Sequence, residues 1–542
     1  MKTVLKLHLF SICVLLTLST VIFAQTGDYV GTKIITRSGE TKIQTIPMKN
    51  LSTPESLDKQ LLGWRGNVTE NPRILGGNLL WSFQDPVAIA RRQVINGSGQ
   101  SPMTAWGLNN ERISLYSDAN NTPLWEFITD PNDGYVAISQ DGNIIAASKG
   151  SSFYLLDPAT GNSTYQIDLP DSLGASHVKI SRDGSFVIFL ARPKNGSSTS
   201  QVYAIDLTGT PSILWTMNFT EPYWIGVNIS ADGSRIAVNA RYHMYILNTT
   251  DGSLIWDHFI DNTESPVAIS GDGQIIVSAD NSGGFIITRI FDPVSNEYQL
   301  LWQYHVPAGY YKSWARAPAI SADGKVIMAG TLLFPSNNTN NGSILAFDTF
   351  SGNTPRWIYG NTGDMVTDIA LSDDGSVAAA TTWGDMDNTL PDLLVFDVAT
   401  GNMTYGQVTP GSLFSVDITP DGKRVYAGGK AVHARVYGNG GLIYLVDIDL
   451  GGGSISGNVN LTNTSDNSGV TVDVLGTQRS TVTNTDGSYQ LNNLPEGTYN
   501  IRAHKPGYNF GDASGITVIE GDTTSGIDFA MDPFTTVPPN LT

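Results

Sequence analysis

Cysteine is almost missing. The 542 residues hold one, Cys13, inside an apolar N-terminal segment. Beyond that segment no disulfide, thiolate metal site or cysteine nucleophile is possible. Charge is also sparse. Charged residues make up 15%, and 31 Lys+Arg against 50 Asp+Glu give a formal net charge of −19. An acidic surface repels phosphate backbones, so nucleic acid is not an expected partner. No apolar run after the first segment approaches about 20 residues, so no membrane span is expected in the mature chain. CxxCH, HExxH and Gly-x-Ser-x-Gly motifs are missing too, which removes the common haem, zinc and nucleophile-elbow chemistries.

What is present begins with an address. Lys2 and Lys6 flank the start of an apolar run from Leu7 to Leu18, and a small residue, Ala24, follows. This pattern predicts a signal peptide over 1–24, hence a secreted, extracellular or cell-surface protein. Cys13 is away from the cut, so no lipoprotein anchor is expected. Asn-x-Ser/Thr sequons number fifteen, against about six expected from composition. The excess predicts a glycoprotein, with Asn67, Asn162, Asn195, Asn218, Asn248, Asn341 and Asn402 as candidate acceptors. Turn-rich composition is the alternative source of the excess.

A phrase of Ser/Thr-x-Asp-Gly between apolar runs recurs seven times. Its aspartates are Asp141, Asp183, Asp232, Asp272, Asp323, Asp374 and Asp421, spaced by 40 to 51 residues. Asp-Gly between alternating apolar runs marks a tight hairpin. A third run follows, ending in Asp and a turn that often reads Thr-Gly or Ser-Gly, as at Asp157–Gly161 and Asp397–Gly401. A fourth run often carries Trp: Trp81, Trp125, Trp215, Trp256, Trp302 and Trp357. Four strands at this period predict propeller blades. A degenerate repeat starts at Val87, and the last repeat lacks its fourth strand. The orphan run Leu79–Phe83 supplies one. The expectation is an all-β chain: an eight-bladed β-propeller over 76–450, closed by the N-terminal strand, which hides its edges. Seven blades is the alternative, with the degenerate repeat outside the ring. Residues 25–75 are read as an extended lead-in.

The Asp-x-x-Thr-Gly turn before an outer-strand Trp resembles the quinoprotein-like propellers. The Ser-x-Asp-Gly hairpins resemble the WD40/YVTN-like, surface-layer and lactonase-like propellers. The resemblance implies the fold and leaves activity open. After a Gly451–Gly453 linker, the strings Thr485-Asp486-Gly487-Ser488-Tyr489, Leu494-Pro495-Glu496-Gly497-Thr498-Tyr499 and Lys505-Pro506-Gly507-Tyr508 resemble a carboxypeptidase regulatory-like domain. That resemblance implies a small prealbumin-type β-sandwich over 454–532, with a binding or spacing role. A Pro/Thr tail occupies 533–542.

In a propeller, the loops between strands two and three share one face with the connections from strand four to the next blade. The repeat places Tyr223, Trp224, His243, Tyr310, Tyr311, Lys312, Trp314, Arg316, Trp383, His433, Arg435 and Tyr437 in or beside those loops, with Trp106 and Arg192 nearby. Aromatics mixed with cations suit sugars or anionic groups. Their alternative role is to plug the channel or pack between blades. The expected function is non-catalytic binding of a glycan or a surface protein. A sugar or lactone hydrolase or lyase using a top-face histidine is one alternative, and a self-assembling surface-layer component is another. No cofactor is expected. Ca²⁺ at Asp385, Asp387 and Asp392 is the one metal candidate.

Overall fold

The computed structural model describes residues 29–37, 40–47 and 77–533, less short stretches at 107–110, 129–133, 195–198, 221–223, 241, 261–262, 264, 282, 307–311, 335–339, 449–452, 476–479, 495–496 and 520. The signal peptide, Asn67, Asn195 and the tail therefore lie outside the described residues, apart from the tail's first residue, Pro533.

Every regular element described is a strand. Tyr29–Arg37 and Glu40–Pro47 pair as an antiparallel hairpin, with Ile34 opposite Ile43. An extended lead-in was expected here; the alternation of Thr and Ile on both arms is what supports a hairpin.

From residue 77 to residue 448 the described chain forms eight four-stranded antiparallel sheets. Sheets 1 to 7 are consecutive meanders over 89–128, 134–168, 173–219, 224–259, 268–305, 312–360 and 366–407. Sheet 8 takes three strands from 412–448 and its fourth from Gly77–Asp85, which pairs antiparallel with Gly441–Ile448. The first strands of neighbouring sheets lie against one another, and the first strand of sheet 1 lies against that of sheet 8. Ile95 N–H donates to Asp417 Oδ2 at 2.9 Å across this junction.

The seven Asp-Gly phrases build one turn. In the first, Ser139 Oγ donates to Asp141 Oδ1 at 2.6 Å and accepts from Ile144 N–H at 3.0 Å, while Asn143 N–H donates to the same carboxylate. Gly142 closes the turn at φ 74°, a conformation glycine adopts without a Cβ clash. Sheet 1 uses a different residue for the same job. Asn96 Oδ1 accepts from Ser98 N–H and Gln100 N–H.

The core lies between sheets rather than at one centre. Val187 and Phe189 of sheet 3 pack on Phe153 and Leu155 of sheet 2. Trp81, Tyr426 and Ile443 of sheet 8 pack on Met103 and Tyr116 of sheet 1. A hydrogen bond joins most of these seams. The indole N–H of a fourth-strand Trp donates to a carbonyl just past the third strand of the next sheet. The pairs are Trp81 to Ser117, Trp125 to Pro158, Trp215 to Thr249, Trp302 to Thr349 and Trp357 to Val398, at 2.7–3.1 Å.

After the linker, two further four-stranded sheets stack on a core of Ile455, Val459, Val472, Leu491, Ile501, Val518 and Phe529. Its Thr471–Val482 edge meets the Asp-Gly end of sheet 6. Lys325 Nζ donates to Asp473 Oδ1 at 3.0 Å and to Ser480 Oγ at 2.8 Å, and Ser480 Oγ donates to Asp323 Oδ2 at 3.1 Å.

The seam geometry makes a testable statement. A Cβ on Gly252 would lie 2.8 Å from the Trp215 ring, at φ +71°. Gly252→Ala is expected to cost about 2–3 kcal/mol, and Trp215→Phe about 1 kcal/mol more than the lost ring area explains. Urea unfolding midpoints check both.

Candidate functional site

An antiparallel meander puts its one-to-two and three-to-four turns at one end, and its two-to-three loops and sheet-to-sheet connections at the other. The two ends differ. At the Asp-Gly end, backbone bonds run from turn to turn. Asp232 N–H donates to Gly271 O, Gly271 N–H to Ala322 O, Ala322 N–H to Asp373 O and Asp373 N–H to Pro420 O, at 2.8–3.1 Å. Arg182 of sheet 3 reaches the Asp373 carboxylate of sheet 7. The turns are thus tied to one another, and the C-terminal domain rests on this end.

The loop end carries the second cluster. Asp364, in the connection from sheet 6 to sheet 7, is buried and takes both Arg435 Nε at 2.5 Å and Nη2 at 2.9 Å. A bidentate pair of this kind fixes the guanidinium plane. Arg435 Cζ sits 5.1 Å from the Trp383 ring centroid. Among the described residues the Trp383 indole N–H has no hydrogen-bond partner. Tyr437, on the same loop as Arg435, is exposed. His433 is buried; its Nδ1 accepts from Arg435 N–H at 3.2 Å and its Nε2 faces Gly384 O at 3.3 Å. Burial holds its pKa below the usual imidazole value. Both ring nitrogens therefore brace the loop, and neither is left as a base.

The structure brings together Trp383, His433, Arg435 and Tyr437 from the sequence candidates. Trp314 and Arg316 lie on the first strand of sheet 6, Lys312–Ile320, with Trp314 edge-on to Phe334 at 5.0 Å. His243 is on the third strand of sheet 4, bonded to Asp257 Oδ2 at 2.9 Å and stacked on Tyr245. That places it toward the outer strand. Trp224 and Lys312 begin first strands, and Trp106 ends a second strand; their side chains, like Tyr223, Tyr310 and Tyr311, lie outside the described residues. The calcium candidate does not assemble. Asp385 accepts from Thr389 and Leu390 N–H in its own loop, and Asp392 is buried and accepts from Thr409 N–H. Among the described residues no three metal-ligating side chains converge.

Sequence reasoning placed the inner strands but not their bulges. Six of the eight have a register irregularity partway along, at 90–92, 176–178, 224–226, 316–319, 366–368 and 413–415. Bulges re-aim side chains. Here Arg92 lies over Tyr135 at 4.9 Å, and Tyr135 packs on His177 at 4.0 Å. Burial, then the nearby Arg92, Arg192 and Lys179, hold the His177 imidazole neutral. Across from them, burial pushes the Asp368 carboxyl up to about 6, although it accepts from Val416 N–H at 3.2 Å. The only signal was position: Tyr135, His177 and Asp368 each stand six residues before a turn aspartate.

Comparison with known proteins follows the same division. Residues 109–359 match the family described as outer membrane protein assembly factor BamB. Residues 454–532 match the carboxypeptidase regulatory-like domain. No curated protein matches the chain. Among solved structures, Sqt1 of Saccharomyces cerevisiae is similar at 10% identity and TM-score 0.51, over 69% of this chain and 99% of its own. BamB of Moraxella catarrhalis is similar at 16% identity and TM-score 0.45, over 68% and 97%. The Cps50 (Swd1) β-propeller domain of Myceliophteria thermophila is similar at 10% identity and TM-score 0.42, over 68% and 99%. The chain carries a propeller repeat array followed by a carboxypeptidase regulatory-like domain.

The raised Asp368 pKa gives a pH test. A carboxyl whose folded pKa exceeds its unfolded value supports folding when protonated, and that support is lost as pH rises through about 6. Asp368→Asn is expected to raise stability by about 1–3 kcal/mol at pH 7.5 and to change little at pH 4. Denaturant melts at the two pH values check it.

Proposed function

We propose that this chain is a secreted, glycosylated binding protein whose eight sheets are the blades of one closed propeller. Its loop end engages a glycan or a surface protein without catalysis, and its C-terminal domain acts as a spacer. The observation that carries the reading is the asymmetry of the two ends. At the Asp-Gly end the turns of sheets 4 to 8 are tied one to the next, and the turn of sheet 6 bonds the second domain. The loop end presents Trp383, Arg435 and Tyr437, an aromatic and cationic surface held rigid by buried Asp364. A preformed surface of this composition suits recognition. The BamB-family match over the repeats is in keeping with a propeller used for interaction. The hydrolase reading has one observation in its favour, the 4.0 Å approach of His433 to Asp364. It is the weaker reading because the histidine's nitrogens are already engaged.

Trp383→Ala and Tyr437→Ala are each expected to weaken binding about tenfold or more, with unfolding midpoints near the parent's. Binding to a glycan array and to extracted surface proteins measures this. Unchanged binding in both variants defeats the reading, as does turnover of a sugar or lactone that His433→Ala removes.

Secretion and glycosylation have their own test. Mass spectrometry of the chain secreted from a glycosylating host is expected to find Asn162, Asn218 and Asn402, all exposed, modified. Asn96 and Asn228 are expected bare, because their amide groups are held in the fold. Retention of residues 1–24 in the exported chain counts against secretion by a cleaved signal.

A further inference from the structure

The seam between sheets 4 and 5 breaks the rule that the other tryptophans follow. Among the described residues, Trp256 is the one fourth-strand Trp whose indole N–H makes no hydrogen bond to a carbonyl of the next sheet. The facing turn, Asp292–Asn296, has no glycine to lie on the ring. An open cavity of about 400 Å³ lies in this seam, lined by Trp256, His258, Arg289, Tyr298 and Gln303 among others.

Arg289 is the unusual member. It is 8% exposed, and its Nη1 is buried with no hydrogen-bond partner. Among the described residues no carboxylate pairs with it. Its guanidinium lies 5.8 Å from the Trp256 ring centroid. Burial alone lowers its pKa, to about 10, with no anion to restore it. Arg235, close by, shows the satisfied case: Nη1 donates to Gly273 O at 2.9 Å and to Tyr298 Oη at 2.6 Å. A buried, unpaired cation is costly. In a chain of net charge −19 it would find a compensating carboxylate easily, and it has none.

We propose that this outer cavity is a binding site for a sugar carrying one carboxylate, a hexuronate, independent of the loop end. The guanidinium takes the planar carboxylate in bidentate fashion. The ring lies on the platform made by His258 stacked on Trp256, whose rings are 5.3 Å apart and 8° from parallel. Hydrophobic C–H faces of pyranoses suit such platforms. The free Trp256 N–H and the exposed Gln303 amide reach hydroxyls. Glu297 at the rim and the acidic surface disfavour a polyanionic chain, so the ligand is a single or terminal residue.

Isothermal titration of the full chain with methyl β-glucuronide, methyl β-glucoside and inorganic phosphate tests this. The glucuronide is expected to bind, with the glucoside about thirtyfold weaker or more. Arg289→Met is expected to abolish glucuronide binding while leaving the unfolding midpoint unchanged or higher, since it removes an uncompensated buried charge. A purely structural arginine would lower the midpoint instead. Should the Met variant fail to fold, Arg289→Lys keeps the charge but loses the fork and must weaken binding. Equal binding of glucuronide and glucoside overturns the proposal, as does phosphate binding as tightly as the glucuronide. Absence of glucuronide binding by the folded parent, or its persistence in Arg289→Met, also overturns it.

Discussion

The bond from a fourth-strand indole to the next sheet is the contact on which the array depends. A single antiparallel sheet of four strands has two apolar faces and cannot bury either alone. Stacking sheet on sheet buries both, but apolar contact is non-directional and fixes no rotation between neighbours. The Trp N–H does. It picks one carbonyl on the next sheet, and in three seams a turn glycine lies against the ring, Gly161 on Trp125, Gly252 on Trp215 and Gly401 on Trp357. Trp81 performs this from the N-terminal strand onto Ser117 of sheet 1. The strand that completes the last sheet therefore also locks the first.

The same logic separates two kinds of residue. Those that build the turns are short polar side chains with local partners, and they repeat. Those that differ from sheet to sheet sit on the inner strands and on the two-to-three loops. In sheets 4 to 7 each Asp-Gly turn places a backbone amide against the next turn's carbonyl. The loop end has no such duty, so Trp383, Arg435 and Tyr437 stand on it without disturbing the repeat. Arg435 needs buried Asp364 for this. A long cation on a loop would otherwise lose much rotamer freedom to hold one pose.

Legibility in the sequence followed this division. Ser-x-Asp-Gly and the outer Trp are local patterns with local causes, and both turns and strands stand where those patterns place them. The degenerate first repeat was readable from its apolar runs but not from its turn, because Asn96 stands where the other turns have serine and Ser98 where they have aspartate. The 29–47 hairpin escaped because its turn lacks an Asn-Gly or Asp-Gly pair. His177 and Asp368 escaped for a different reason. A bulge shifts the side-chain alternation by one, so His177 and Asp368 do not stand where the repeat's alternation places them. His433 read as a candidate base, and only the positions of Gly384 O and Arg435 N–H show it as a brace.

Charge distribution ties these points together. The chain carries more acid than base, and while Arg182 and Lys325 serve the Asp-Gly turns, other cations are gathered elsewhere. Arg92, Lys179 and Arg192 crowd His177 at the inner strands, Arg435 is held at the loop end, and Arg289 is buried in an outer seam. The acids instead serve the turns, where Ser hydroxyls and backbone amides hold Asp141 and Asp183 ionised below their usual range. Turn acids of this kind lower net stability only when protonated, so the scaffold tolerates a strongly negative surface at neutral pH. Arg435 and Arg289 are then cations able to meet an anionic ligand, and each sits where the repeat's geometry is interrupted: in a long loop, or beside a turn without its glycine.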